Sequence, residues 1–210
     1  MDSGLRWICN DWPSDSTPWR RFLARFTSQR DVAPINYNYR GWGWTPGTSS
    51  WVEPTSFALL ALEGVTSGEL SGLATRRRSL ATSLLVDRMC PGGGWNAGNP
   101  VVYGVAGEPS VVPTVWALVA LRNLPSRDEV TLSLNWLERA ASESQSPASA
   151  ALTRICLRAY GRAMPSGAPA LNRLLPNNEF LSNVLAASWA VLASGSDIWL
   201  RNPATGVVAA

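Results

Sequence analysis

The chain has 210 residues, 46% hydrophobic and 16% charged, a composition that suits a packed core and excludes a disordered coil. Its 18 basic residues are all arginine, set against 15 acidic ones, and histidine is absent. That excludes lysine Schiff bases, histidine general bases, Walker-type phosphate lysines and Cys/His zinc sites, and the slight, scattered positive excess argues against a nucleic-acid partner.

Residues 1–18 hold Trp7, Trp12, Pro13 and Pro18 among short polar residues and read as an irregular lead-in. From Trp19 to Arg30, Phe22, Leu23 and Phe26 recur at helical spacing, which predicts a short amphipathic helix. An aromatic loop follows over 36–50. Pro54 then sits in the first turn of a helix ending at Glu63-Gly64, with Phe57 to Leu62 apolar on every side and so expected to be buried all round. Over 71–89, Leu73, Leu80, Leu84 and Leu85 share one face, leaving Arg76, Arg77, Arg78, Asp87 and Arg88 on faces expected to meet water. The Arg76–Arg78 run has contact with acidic lipid or an acidic partner as its second reading. A loop over 91–112 leads to a second apolar helix, Pro113 to Asn123. An amphipathic helix over 127–143 and an apolar one from Pro147 to Tyr160 continue the alternation. After a Pro/Gly/Asn-rich stretch with a helical turn at 171–175 comes an apolar helix, Leu181 to Ala193, with Trp189 inside it. The tail from Gly195 reads as loose. No run reads as a strand.

Two of these stretches are copies of one another. Gly41-Trp42-Gly43-Trp44 and the following Pro54-Thr55 with Ala58-Leu59-Leu60-Ala61-Leu62 recur as Gly92-Gly93-Gly94-Trp95, then Pro113-Thr114 with Ala117-Leu118-Val119-Ala120-Leu121. A repeat that joins a Gly-Trp loop to an apolar helix, alternating with amphipathic helices, predicts an all-α fold of helical hairpins in two layers, inner apolar and outer amphipathic. Residues 19–194 form the one repeat domain on this reading, and 195–210 the tail.

Over about residues 19–123 this pattern resembles the repeat of the terpenoid cyclase and protein prenyltransferase superfamily, which includes squalene–hopene cyclases. The resemblance implies an α/α-toroid fold. Arg88-Met89-Cys90-Pro91-Gly92-Gly93-Gly94-Trp95 is similar to the family's loop, with Met89 near the place of its usual glutamine, and Pro113-Thr114-Val115-Trp116-Ala117-Leu118 to its inner-helix start. In the family the loop tryptophans brace helices, which implies structural roles for Trp42, Trp44, Gly94 and Trp95, with Pro54, Thr55, Pro113 and Thr114 at the helix starts. The seven helices and one further turn counted here are too few to close the ring. A partial toroid exposes inner apolar surface, so self-association or a partner chain is expected.

The resemblance also marks what is missing. The cyclase Asp-x-Asp-Asp-Thr motif falls at Trp51-Val52-Glu53-Pro54-Thr55, where Glu53 alone carries a carboxylate; a helix start lowers the pKa of such a group. Glu53 therefore reads first as a carboxylate tying down the helix start and second as an acid catalyst. The prenyltransferase zinc ligands cannot be carried over without histidine, and no Asp-rich diphosphate motif stands in for them; Asp11 and Asp15 lie in the lead-in and weigh little. Neither a metal nor a cofactor is expected. Phe57 and Trp116 on inner helices, with Trp51 and Tyr103 beside the loops, are the candidates to line a site for an isoprenoid or other apolar ligand. The functional expectation is a squalene cyclase- or prenyltransferase-like repeat protein binding such a ligand without the standard acid. The alternatives are a terpene cyclase or prenyltransferase-type enzyme using Glu53, and a structural half-toroid completed by another chain.

Three widely spaced cysteines, Cys9, Cys90 and Cys156, form no CxxC pair and suit a reducing, cytoplasmic setting as small buried residues. No signal segment opens the chain, and the apolar stretch Val184 to Ala193 is short of the roughly 20 residues a membrane span requires. Peripheral membrane contact is the most that is expected.

Overall fold

The computed structural model describes residues 2–23, 33–124, 127–144, 146–168 and 184–195. Among them are eight α-helices: α1 (Asp2–Asn10), α2 (Pro18–Leu23), α3 (Val52–Leu62), α4 (Ser71–Asp87), α5 (Val111–Leu121), α6 (Asp128–Glu143), α7 (Pro147–Ala159) and α8 (Val184–Ser194). The helix-rich architecture expected from the periodicity is present. The predicted helix over 19–30 is described only through Leu23, and the turn at 171–175 and the tail beyond residue 195 lie outside the described residues.

Helices α3, α5, α7 and α8 form a row in which each packs on the next, while α4 packs on α3 and α6 packs against α5 and α7. The row helices are the apolar ones. Helix α5 buries Pro113, Thr114, Val115, Ala117, Leu118, Val119 and Leu121, and α3 buries the equivalent Pro54, Thr55, Ala58, Leu59 and Leu62. Small residues let these helices approach closely; Ala117, Ala150, Ala151, Ala186, Ala190 and Ala193 all belong to one core cluster running from Cys9 to Ala193. At the C-terminal ends of α3 and α5 a clasp ties the two copies of the repeat together. The Glu63 carboxylate accepts from Arg122 Nη2 at 2.7 Å and from the Asn123 side chain.

Four expectations are corrected. The lead-in is not irregular: Leu5, Ile8 and Cys9 fall at helical spacing, and α1 turns that face onto α3 and α4. Helix α3 is not buried all round, since Phe57 is 39% exposed and Ala61 also meets solvent. Helix α8 is buried only along Ala186, Ala190 and Ala193, leaving Val184, Leu185, Val191 and Leu192 exposed and Trp189 half-buried. A short antiparallel hairpin joins Val101–Val102 to Val105–Ala106, where no strand was expected. Its turn residues Tyr103 and Gly104 both have positive φ, 51° and 77°, the requirement of a two-residue type I′ turn.

Candidate functional site

The repeat loops are built around one hydrogen-bond pattern used twice. In the first copy the Trp42 N–H donates to Thr55 Oγ1 at 3.0 Å; in the second the Trp95 N–H donates to Thr114 Oγ1 at 2.8 Å. Each tryptophan carbonyl accepts the amide that precedes the next helix, from Trp51 and Ser110 respectively, both at 2.9 Å. Each indole reaches a helix outside the row: Trp42 Nε1 donates to the Ile8 carbonyl of α1 at 2.9 Å, and Trp95 Nε1 to the Leu85 carbonyl of α4 at 2.6 Å. Helix α1 thus stands to the first copy as α4 stands to the second. The glycines before the tryptophans leave room for this closure. A Cβ on Gly41 would lie 2.1 Å from Thr55 Oγ1, and one on Gly94, at φ 75°, would press on Pro109, Thr114 and Trp136. Trp42, Trp95, Gly94, Thr55 and Thr114 are therefore bracing elements, and Pro54 and Pro113 fill the first turns of α3 and α5 where no amide is owed. Trp44 is not a brace. It stands 58% exposed.

What Trp44 does instead is extend a row of rings. Its ring meets Phe57 edge-on at 6.3 Å between centroids, and Phe57 meets Trp116 edge-on at 5.1 Å. Phe57 and Trp116 occupy the same position in the two copies of the repeat, two residues beyond the Thr, and α3 packs on α5 with the two rings in contact. Glu53 lies one turn before Phe57 on the same face of α3. It is half-buried, and among the described residues no hydrogen bond or ion pair is made by its carboxyl. Burial pushes its pKa above the ordinary glutamate value. This runs against the expectation that the helix start holds it low, and among the described residues no partner ties Glu53 to the backbone.

The other two candidates lie elsewhere. Tyr103 is at the tip of the hairpin turn, 74% exposed, and is not on the wall of the cleft that Trp51 borders. Trp51, 40% exposed, makes no ring contact with the Trp44–Phe57–Trp116 row among the described residues. It lines a separate cleft of about 660 Å³ together with Asp15, Tyr37, Arg88 and Asn99.

Two buried arginines escaped the reading of periodicity. Arg77, placed with the solvated face of α4, is 1% exposed, with its guanidinium 4.0 Å from the centre of the Trp42 ring and its Nη2 donating to the Gly41 carbonyl at 3.1 Å. Burial lowers its pKa to about 10, with Asp11 pulling the other way. Arg88 is 4% exposed and lies 3.8 Å from Asp15 and 3.5 Å from Asp87. Asp15 is itself buried, accepting from the Ser50 N–H at 3.0 Å and from Ser50 Oγ at 3.1 Å. Of the arginine run, Arg76 is exposed, Arg78 half-buried and Arg77 buried. The sole sequence signal for any of this was the Asp11–Asp15 spacing, which carries no information about a partner many residues away.

Among the described residues no three of Cys, Asp and Glu stand close enough to share a metal ion, the three cysteines are free and buried, and no helix is long and apolar enough to cross a membrane. No protein-family model matches the chain, and neither a curated protein nor a solved structure matches it.

Proposed function

We propose that the protein binds an apolar, isoprenoid-like ligand on the face where α3 and α5 present Trp44, Phe57 and Trp116. The observation that carries this reading is the contiguous row of three rings, two of them exposed, since a soluble protein gains nothing by leaving such surface in water unless something covers it. Edge-to-face rings offer a ribbed apolar surface suited to a chain of branched five-carbon units. The resemblance of the repeat to the terpenoid cyclase and prenyltransferase superfamily supports the same ligand class and a partial toroid as the frame. Farnesol titrated into the protein is expected to give saturable binding by calorimetry, weakened about tenfold or more in Phe57→Ala and Trp116→Ala. Wild-type affinity in both variants would remove the face from consideration.

A second reading has its own observation. Glu53 is unpaired and desolvated beside this face, the condition under which a carboxylic acid keeps its proton to higher pH and can donate it. On that reading the protein is a terpenoid cyclase-like enzyme, and polyprene turnover vanishes in Glu53→Gln while farnesol binding persists. A third element concerns partners. The exposed Val184, Leu185, Val191 and Leu192 continue the apolar row past α8, which supports closure against a second copy or another chain.

A further inference from the structure

The cleft beneath Trp51 is independent of the apolar face and has a different chemistry. Its volume, about 660 Å³, is that of a small-molecule site. Its walls come from the turn at 14–16, the segment 33–37, residues 49–51, the loop 96–99 and the end of α4. Arg88 lies against this cleft with Nη1 donating to Asn99 Oδ1. Its Nε is buried and faces the Asp87 carboxylate at 3.5 Å, so it is closed to the cleft. Asn99 has its amide nitrogen left over, and the Tyr37 hydroxyl, also on the wall, makes no hydrogen bond among the described residues.

Charge decides what such groups can take. Of the described wall residues Asp15, Arg88 and Arg20 are charged, and Asp87, which is not on the wall, also pairs with Arg88, so this group of four charges balances. Neither a phosphate nor a cation is favoured by that balance. An aromatic platform is present as well. The Trp51 ring is 40% exposed and borders Gly98, where a Cβ would come within 3.8 Å of the ring. A half-exposed indole beside unengaged donors and hydroxyls of both hydrogen-bonding senses matches a molecule with a C–H face and a polar rim. A sugar ring is that molecule: its axial C–H groups lie on an aromatic face, and its hydroxyls each donate and accept.

We propose that this cleft is a binding site for a neutral saccharide, with a pyranose ring on Trp51 and its hydroxyls on the Asn99 amide and the Tyr37 hydroxyl. Calorimetric titration of the full chain with methyl β-glucopyranoside, methyl α-mannopyranoside and cellobiose, with adenosine and inorganic phosphate as comparison probes, tests it. At least one saccharide is expected to bind with a Kd of about 1 mM or tighter, little changed between low and moderate salt because no net charge is neutralised. Trp51→Ala should weaken that binding about tenfold or more, and Gly98→Val, which places a side chain on the ring without touching the buried ion pairs, should do the same with an unchanged thermal midpoint. Absence of binding by all three saccharides, preferential binding of adenosine or phosphate, or wild-type saccharide affinity in Gly98→Val would overturn the proposal.

Discussion

Removing the hydroxyl of Thr114 strands the Trp95 amide in a dry loop, because that hydroxyl accepts the amide at 2.8 Å and both residues are buried. Thr114→Val keeps the shape and loses the bond, so urea unfolding should show a loss of about 1–3 kcal/mol. Thr55→Val should cost a similar amount through Trp42, since its geometry is the same. Glu53 gives a different signature. Its pKa is raised in the fold by burial, so its protonated form is the one folding favours. That contribution is fully present below the unfolded glutamate pKa and is lost as pH rises through the folded value. Glu53→Gln should therefore be more stable than the parent at neutral pH, with the gap closing as pH falls below the ordinary glutamate range. A gap that widens on acidification would show that Glu53 is stabilised as a carboxylate.

At the scale of an element, α4 shows why an arginine run is not one surface. Successive side chains of a helix point about 100° apart, so Arg76, Arg77 and Arg78 leave in three directions. Arg76 enters water, Arg78 reaches back to the Leu62 carbonyl at the end of α3 at 3.1 Å, and Arg77 enters the interior over Trp42. Arg77 keeps two nitrogens unpaired, so its place rests on the indole face, the Gly41 carbonyl and the packing of its stem. Arg77→Ala should destabilise by about 2 kcal/mol or more, whereas Arg76→Ala should stay within about 0.5 kcal/mol. Equal, small effects would mean that Arg77 is not held as the geometry has it. Helix α1 belongs to the same account, since it supplies the Ile8 carbonyl that receives the Trp42 indole and Cys9 to the core.

At the scale of the whole molecule, the last described helix of the row α3–α5–α7–α8 has a buried stripe of alanine and another side of Val184, Leu185, Val191 and Leu192. Each earlier helix of the row has a neighbour on such a side. If a second copy covers this one, sedimentation velocity should find a concentration-dependent species larger than the monomer, and Val184→Glu with Val191→Glu should return it to monomer. A strictly monomeric parent at high concentration would leave the face to a different chain.

Short-range pattern was enough for the helices and for the repeat. The spacing of apolar residues, the prolines at the starts of α3 and α5 and the paired Gly-Trp loops are local properties of the chain, and they sufficed to place α3 to α7 and to pair Phe57 with Trp116 as equivalents. They failed at α1, where turn-forming residues further along, Pro13 and Pro18, masked the three inward positions Leu5, Ile8 and Cys9. They failed again wherever a side chain's surroundings come from distant chain. Asp15 meets Ser50 and Arg88, Arg77 meets Trp42 and Gly41, and Trp51 faces the 96–99 loop, all across separations that periodicity does not span. Whether a charge on a helix meets water or an indole depends on what the rest of the chain lays against that face. That was decided by tertiary packing alone, and it is why Phe57 and Trp116 were legible as candidates in the sequence while the Trp44 ring beside them and the cleft under Trp51 became visible only in the folded molecule.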